Sequence, residues 1–486
     1  MLFEQELSNL LLSQNSLIFI QAQEETRLEY ALNNVTRKLF HNHVYSWNFI
    51  DGYTNYTEIN HLANRNPLEA LEIIESIDKQ TTKVFFLKDF SDFLNDITIV
   101  RKFKNIYPLL LNSNLYIIIS SFTLKIPNAL QGYFTTIDFP LPNKKEIHTE
   151  LRRLKAILKL NHIHLESFTL AYQGFSIDQI RKSIMKLIAS EILAKDMIGY
   201  ILKEKKYLIE QTNILDFYPS SYNLEDIGGI KQLKLWLKKR SYAFSEIAQN
   251  YGIPAPRGIL LIGIQGTGKS LSAKAISLEW NLPLLKLDIG KIFAGIVGES
   301  ENRMRQMIKL AEQMAPCILW IDEIDKIFTK NHINNDSGTT NRVMNGIIVW
   351  LSEKNTSVFI VATANSITNL PPELLRRGRF DDIFFLDLPN FEERLNIFQI
   401  HLKKIRPLTW NQYNIYYLSK ISYQFSGAEI EQAIIDAMYN AFNELREFNT
   451  LDIVYAIKET VPLAFLDSKS IKQIQELAYS GKIRFA

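Results

Sequence analysis

The segment GIQGTGKS at positions 263–270 combines three glycines, a lysine and a serine in the pattern G-x-x-x-x-G-K-[ST]. Glycines let successive backbone N–H groups turn inward around phosphate oxygens, and a helix opening at the serine adds the positive end of its dipole. Lys269 is then placed to bridge β- and γ-phosphates, and the Ser270 hydroxyl to sit on Mg²⁺. The competing reading is an ordinary surface loop, which the apolar run before the motif and the helical pattern after it disfavour. Asp322 follows Lys269 by 53 residues, in ILWIDEID at 318–325, where four apolar residues run into adjacent carboxylates. Ligands of parallel sheets bind outside the carboxyl ends of the strands. Asp322 is therefore the candidate Mg²⁺ anchor and Glu323 the candidate group for polarising an attacking water. Such carboxylates are often merely solvated; the phosphate motif upstream raises their meaning. VATAN ends the next strand on Asn365, able to hold a water or a phosphate oxygen, although a strand-end Asn is commonly a turn residue. NLPPELLRRGRFDD then gathers Arg376, Arg377 and Arg379, whose side chains suit charge on a transferring phosphoryl group.

The elements that must position these groups are legible as alternating apolar runs and helical patterns. GILLIGI, PLLKLDI, CILWIDEI, SVFIVATAN and DIFFLDLPN read as strands, with helices between them and a helical stretch after Phe391. The first half reads the same way, with SLIFIQ, VFFLKDF and LYIIISS as strands and helical sequence from about 146 to 211. Buried runs alternating with helices predict parallel sheets covered on both faces.

The two halves match at a near-constant offset. LIFIQAQEETR at 17–27 aligns with ILLIGIQGTGK at 259–269, LYIIISSF with VFIVATAN, FPLPN with LDLPN, and YQGFSIDQI with YQFSGAEI. A duplicated unit explains this; the alternative is that short apolar runs match easily in any two parallel sheets. In this alignment Gln21, Glu24 and Thr26 stand where Gly263, Gly266 and Gly268 stand, and VFFLKDF keeps Asp89 but places Phe90 opposite Glu323. The first half is expected to keep the fold without the phosphate chemistry. Glycine agrees: of 19 in the chain of 486 residues, four (Gly52, Gly132, Gly174, Gly199) precede position 228.

Residues 222–486 resemble the AAA family of ring-forming ATPases. The resemblance rests on NLEDIGGIKQLK, GIQGTGKS, ILWIDEID, VATAN, LLRRGRFD and FSGAEI, in the family's order and spacing. It implies ATP and Mg²⁺ as ligands, with nucleotide held by Gly263, Ile264, Gln265, Gly266, Thr267, Gly268, Lys269, Ser270 and Leu271. It implies an adenine pocket of Asp226, Ile227 and Gly228, closed by Gly427 and Ala428. It also implies Asn365 as a sensor, Arg376 and Arg379 acting on a neighbouring subunit's ATP, and a ring, most often a hexamer. Arg377 replaces the proline usual between those arginines, and Ile264-Gln265 replace the usual Pro-Pro. In the central-pore loop Ile296-Val297-Gly298 stand where threading members place an aromatic residue, whose larger contact area grips an extended peptide. A second pore loop is expected within 330–338. The whole chain resembles AAA proteins encoded in algal plastid genomes and in cyanobacteria, which implies the plastid stroma or a cyanobacterial cytoplasm.

The predicted fold class is α/β: two P-loop-type parallel αβα sandwiches, each followed by a helical lid, the first degenerate. Expected boundaries are an αβα domain at 1–143, a lid-like region at 144–212, a linker at 213–223, an ATPase αβα domain at 224–390, and a lid with tail at 391–486. No apolar run approaches the ~18 residues a membrane helix needs. The N-terminus carries Glu4 and Glu6 without a basic cluster, so a transit peptide is not expected. One cysteine, Cys317, excludes internal disulfides and multi-Cys zinc sites and is read as a core residue. His41 with His43 and His162 with His164 are read as ordinary histidines, and 203–206 and 238–240 as solvated basic faces. The tail at 481–486 is expected to fray. Together these features predict Mg²⁺-dependent ATP hydrolysis that remodels or activates a protein partner. A nucleotide-dependent scaffold with little turnover stays open beside it. Handling of nucleic acid is disfavoured by a net charge of +3.

Overall fold

A computed structural model describes residues 2–54, 61–77, 81–122, 126–158, 165–190, 197–210, 214–218, 222–293, 299–328, 330–376, 378–479 and 483–486. The chain divides into two compact units, Met1–Ile198 and Gly199–Ala486. In the first, β1 (Leu17–Gln21), β2 (Val44–Asn48), β3 (Gly52–Thr54), β4 (Lys83–Lys88), β5 (Leu115–Ser121) and β6 (Thr135–Asp138) form one sheet. Its order is β3-β2-β4-β5-β1-β6, parallel except for β3 against β2. The second unit holds β7 (Leu215–Tyr218), β8 (Gly258–Gly263), β9 (Leu284–Leu287), β10 (Cys317–Ile321), β11 (Val358–Ala364), β12 (Asp382–Leu386) and β13 (Arg484–Phe485). Its order is β13-β12-β8-β11-β10-β9-β7, parallel except for β7 against β9.

Five strands of each sheet follow one scheme. Chain order β1, β2, β4, β5, β6 gives the spatial order β2-β4-β5-β1-β6; chain order β8 to β12 gives β9-β10-β11-β8-β12. The two halves are therefore two copies of one α/β topology of P-loop type, a stronger likeness than shared apolar strings.

The central strands of both sheets are buried on both faces, so they are continuous apolar runs whose alternate residues serve two cores. Phe19, Phe85, Leu87 and Ile117 belong to one core of the first sheet, and Ile18, Val84, Phe86 and Ile118 to the other. Likewise Leu260, Leu319 and Ile360 face one way in the second sheet, and Ile259, Ile318 and Phe359 the other. Helix Lys269–Trp280, which follows β8, packs Ala273 and Ile276 into the second of these cores. The lid that follows β12 opens on helix Phe391–Ile405, capped by Asn390, and closes its own core around Phe398, Leu418, Ile434 and Ile453.

Five expectations change. The supposed linker carries β7, an edge strand whose Leu215 and Phe217 face the core as the alternation of LDFY requires. Helix Met197–Glu210, read as part of the first lid, lies almost wholly in the second unit. Within it Lys205 is buried, because Ile201, Lys205 and Ile209 share one helical face; desolvation pulls its ammonium down to about 8. The tail pairs Arg484–Phe485 with β12, and Phe485 packs edge-on to Phe385. The expected second pore loop is the start of helix Lys330–Glu353; Ile296-Val297-Gly298 and Arg377 lie outside the described residues, as do His162 and His164.

Phe90 is fully buried, with Trp47 at 5.3 Å and Phe103 at 5.8 Å between ring centroids. Phe90→Ala is expected to cost the first unit about 3–5 kcal/mol, read as a lower midpoint in urea unfolding.

Candidate functional site

The carboxyl ends of β8, β10 and β11 open into a cleft of about 380 Å³. The loop 264–268 leaves β8, passes under the cleft, and enters the helix at Lys269. Gly263 is required by close approach: a Cβ there would lie 2.1 Å from the Leu386 carbonyl oxygen on β12. Gly266 has φ +80° and a Cβ position 2.7 Å from Ser426 Oγ of the lid. Lys269 is buried and donates to the carbonyl oxygens of Gly263 and Ile264, both at 2.8 Å. Burial lowers its ammonium to about 8, opposed by the charges of Asp325, Asp322 and Glu323.

β10 delivers the acidic pair. Ser270 Oγ donates to Asp322 Oδ1 at 3.2 Å, and Lys286 Nζ lies 3.5 Å from Asp322 Oδ2. The residue that ties these groups together is Thr363 on β11. Its hydroxyl donates to Asp322 Oδ1 at 2.7 Å and accepts the Glu323 backbone N–H at 2.9 Å. Asn365 Nδ2 donates to Glu323 Oε1 at 3.2 Å. Glu323 itself stands at φ +50°, the turn that aims the chain from β10 into a 3₁₀ helix.

Among the sequence-predicted residues, Asp226, Ile227, Gly228, Gln265, Gly266, Thr267, Gly268, Lys269, Ser270, Leu271, Asp322, Glu323, Asn365, Gly427 and Ala428 all line this cleft. Gly263 and Ile264 act from beneath it, through the carbonyls that hold Lys269. Arg376 is exposed and Arg379 half-buried, and neither lines the cleft of its own chain. Thr363, Ile397, His401 and Glu431 line it without having been singled out. His401 Nδ1 is 3.6 Å from Glu431 Oε1, and burial lowers its imidazole against that carboxylate's pull. The VATAN string could have suggested Thr363 as the residue two before Asn365. His401 and Glu431 carry no local signal.

The donor set fits a nucleotide with a divalent cation. A glycine-bounded loop, a buried ammonium, a serine hydroxyl on a carboxylate and an adjacent second carboxylate meet in it, the groups a phosphate chain with a cation needs. The lid closes on the same loop, since the Ala428 N–H donates to the Gly266 carbonyl at 3.1 Å.

The first unit carries the corresponding place with its charges exchanged. Between β1 and helix Glu25–Phe40 lie three residues, against five between β8 and Lys269, so the phosphate turn is shortened as well as substituted. At the end of β4 it is Asp89, at φ +53° and followed by a 3₁₀ turn, that matches Glu323; the alignment with Phe90 is corrected by one residue. Lys88, paired with Ser120 in register, then occupies the place of Asp322, which follows the pairing of Ile321 with Ala362. Its ammonium bonds Glu29 at 2.9 Å and Glu25 at 3.2 Å; against desolvation, these carboxylates hold it above its usual range. Glu24, buried, accepts the Ile177 N–H of the lid-like helix at 2.5 Å and pairs with Arg27 at 2.9 Å.

Fold and cleft together define a P-loop nucleotide-binding protein. Residues 259–388 match the family described as ATPase family associated with various cellular activities (AAA), and residues 3–139 match the SpoVK-like AAA ATPase, N-terminal domain. A protein of Gracilaria tenuistipitata var. liui, named "Uncharacterized AAA domain-containing protein ycf46", is 56% identical over 490 residues, covering 100% of both chains. One of the same name from Pyropia yezoensis is 52% identical, over 100% of this chain and 99% of that one. A proteasome-activating nucleotidase of Saccharolobus islandicus (strain Y.N.15.51 / Yellowstone #2) is 36% identical over 245 residues, 48% of this chain and 61% of that one. The chain belongs to the AAA family of ATPases.

Two outcomes test the site. Gly263→Ala is expected to destabilise the second unit by about 1–3 kcal/mol and to weaken nucleotide binding, measured by thermal unfolding and by titration with a fluorescent ATP analogue. Because phosphate needs the charged form of Lys269, whose ammonium burial lowers to about 8, nucleotide Kd is expected to rise about tenfold between pH 7 and pH 9. A Kd flat across that range would show that Lys269 stays charged to pH 9 or does not carry the phosphate.

Proposed function

We propose that the second unit hydrolyses ATP with Mg²⁺ and that the chain couples turnover to remodelling or activation of a protein partner. The observation carrying this reading is the convergence of Lys269, Ser270, Asp322, Glu323 and Asn365 on one cleft closed by the lid. Lys269 would hold the β- and γ-phosphates, and Ser270 and Asp322 the cation. Bound Mg²⁺ supplies charge neutralisation on the phosphate oxygens. Glu323 would draw a proton's share from the attacking water, with Asn365 positioning the carboxylate. Asp226, Ile227 and Gly228, with Gly427 and Ala428, would hold the adenine.

Arg376 and Arg379 lie away from their own cleft, which supports a role on a neighbouring subunit's ATP and hence a ring, taken as a hexamer. The relative named as a proteasome-activating nucleotidase supports work on protein partners. The pore-loop residues Ile296-Val297-Gly298 favour a remodeller over a threading unfoldase, since their contact area is smaller. The first unit, with no phosphate turn, would serve as platform or adaptor. Among the described residues no helix is long and apolar enough to cross a membrane. The plastid stroma, or a cyanobacterial cytoplasm, is the proposed location.

Glu323→Gln is expected to keep ATP binding while phosphate release falls by about 10²–10⁴-fold. Equal and negligible release by both proteins, with ATP bound by both, would instead establish a nucleotide-dependent scaffold. Affinity capture with the Glu323→Gln protein and ATP, from the native compartment, is expected to retain the client.

A further inference from the structure

Both carboxylate oxygens of Glu323 are engaged in the structure. Oε1 accepts from Asn365, inside the cleft. Oε2 lies 2.5 Å from the ammonium of Lys326, which does not line the cleft and whose side chain is 66% exposed. The turn that carries it is pinned at three points: the Lys326 N–H donates to the Glu323 carbonyl at 3.0 Å, the Glu323 N–H to Thr363, and Ser366 N–H to the buried Asp325 carboxylate at 3.1 Å. Asp325 and Lys326, adjacent in sequence, thus have opposite duties. One anchors the turn to the strand end beyond β11; the other reaches back to the candidate base from the rim. The ion pair in turn holds the Lys326 ammonium above its usual range.

We infer that Lys326 is a positioning residue that restrains Glu323. This rests on the reading of Glu323 as the group that polarises water. An ammonium bound to Oε2 draws the carboxylate toward the rim and competes with the water for its negative charge, so Glu323 acts only in the fraction of molecules where the pair has opened. The pair is half in solvent, and exposed ion pairs are weak, so the restraint is a brake and not a block. Removing it should raise turnover about two- to fivefold, which corresponds to roughly 0.4–1 kcal/mol at 1.4 kcal/mol per factor of ten. Because Lys326 does not line the cleft, its loss should leave nucleotide affinity alone. A lysine that instead touched phosphate would show the reverse: its removal would raise KM and lower kcat.

The test is steady-state phosphate release by the full chain with Mg²⁺ and ATP, for wild type, Lys326→Met, Lys326→Arg and Glu323→Gln, beside ATP-analogue binding by each. The expected result is a two- to fivefold higher kcat in Lys326→Met at unchanged KM and Kd. Lys326→Arg restores the pair and returns kcat toward wild type. Unchanged or lowered kcat in Lys326→Met, or a raised KM, overturns the restraint while leaving the hydrolytic reading intact. Loss of the reading itself has a separate signature, in which Glu323→Gln turns over as fast as wild type.

Discussion

The burial of one ammonium organises the second unit. Taking a lysine out of water costs several kcal/mol unless carbonyls and opposite charges replace the solvent. Lys269 finds two carbonyls in the loop it terminates and, beyond them, carboxylates from the end of β10. That arrangement requires the loop to fold back beneath its own helix, which in turn requires Gly263 against β12. It also requires β10 to end level with β8. The sheet order separates β8 from β10 by β11, so the chemistry of the two strands must be joined across a third. Thr363 does this, holding Asp322 with its proton and the Glu323 amide with its lone pair. The hydroxyl on the middle strand is what makes one site of two strand ends.

The first unit solves the same packing problem without the glycine-bounded phosphate turn. Its strands run in the same order, and Ser120 stands beside Lys88 as Thr363 stands beside Asp322. The signs are exchanged, however. Where the second unit surrounds a cationic loop residue with carboxylates from β10, the first surrounds a strand-end cation, Lys88, with Glu25 and Glu29 from the helix. Phosphate would meet three glutamates there. The fold has kept its need for charge pairing at the sheet's carboxyl edge and has met it internally.

Much of this was legible because its signals are local. GIQGTGKS, ILWIDEID and VATAN each place chemistry at the end of an apolar run, and the structure brings all three to one cleft. The duplication was legible from offsets, but its meaning was not. A gap in a loop is invisible in an ungapped match, so the shortened turn after β1 reads as substitution, and identity of residue type draws Asp89 onto Asp322 instead of Glu323. Lys205 is hidden because a basic run masks its own periodicity: only the spacing Ile201, Lys205, Ile209 shows that one lysine faces inward. LDFY at β7 failed for the neighbouring reason that four alternating residues beside Pro and Ser look like punctuation. His401 and Glu431 come from the lid and meet the loop only through tertiary packing, which no window of sequence contains.

The two lids differ in what they are fastened to, and that difference bears on coupling. Helices Gly427–Asn443 and Ile177–Ala189 both open on a serine cap closed by the residue three further on, Glu429 and Gln179. In the second unit the helix donates to the Gly266 carbonyl, a backbone atom of the phosphate loop itself. Any shift of that loop must therefore either move the lid or break the bond. In the first unit the donor lies one position earlier, the Ile177 N–H directly after the cap, and it meets the Glu24 carboxylate, a charge-assisted bond worth about 1.5–3 kcal/mol; Arg27 extends the clasp to Glu146 at 3.2 Å. A side-chain anion has thus replaced the loop as the lid's partner. The second lid is fastened to the loop that the proposed function gives to phosphate; the first is fastened to the protein's own charge, so on that proposal only the second would feel a nucleotide bound at its loop.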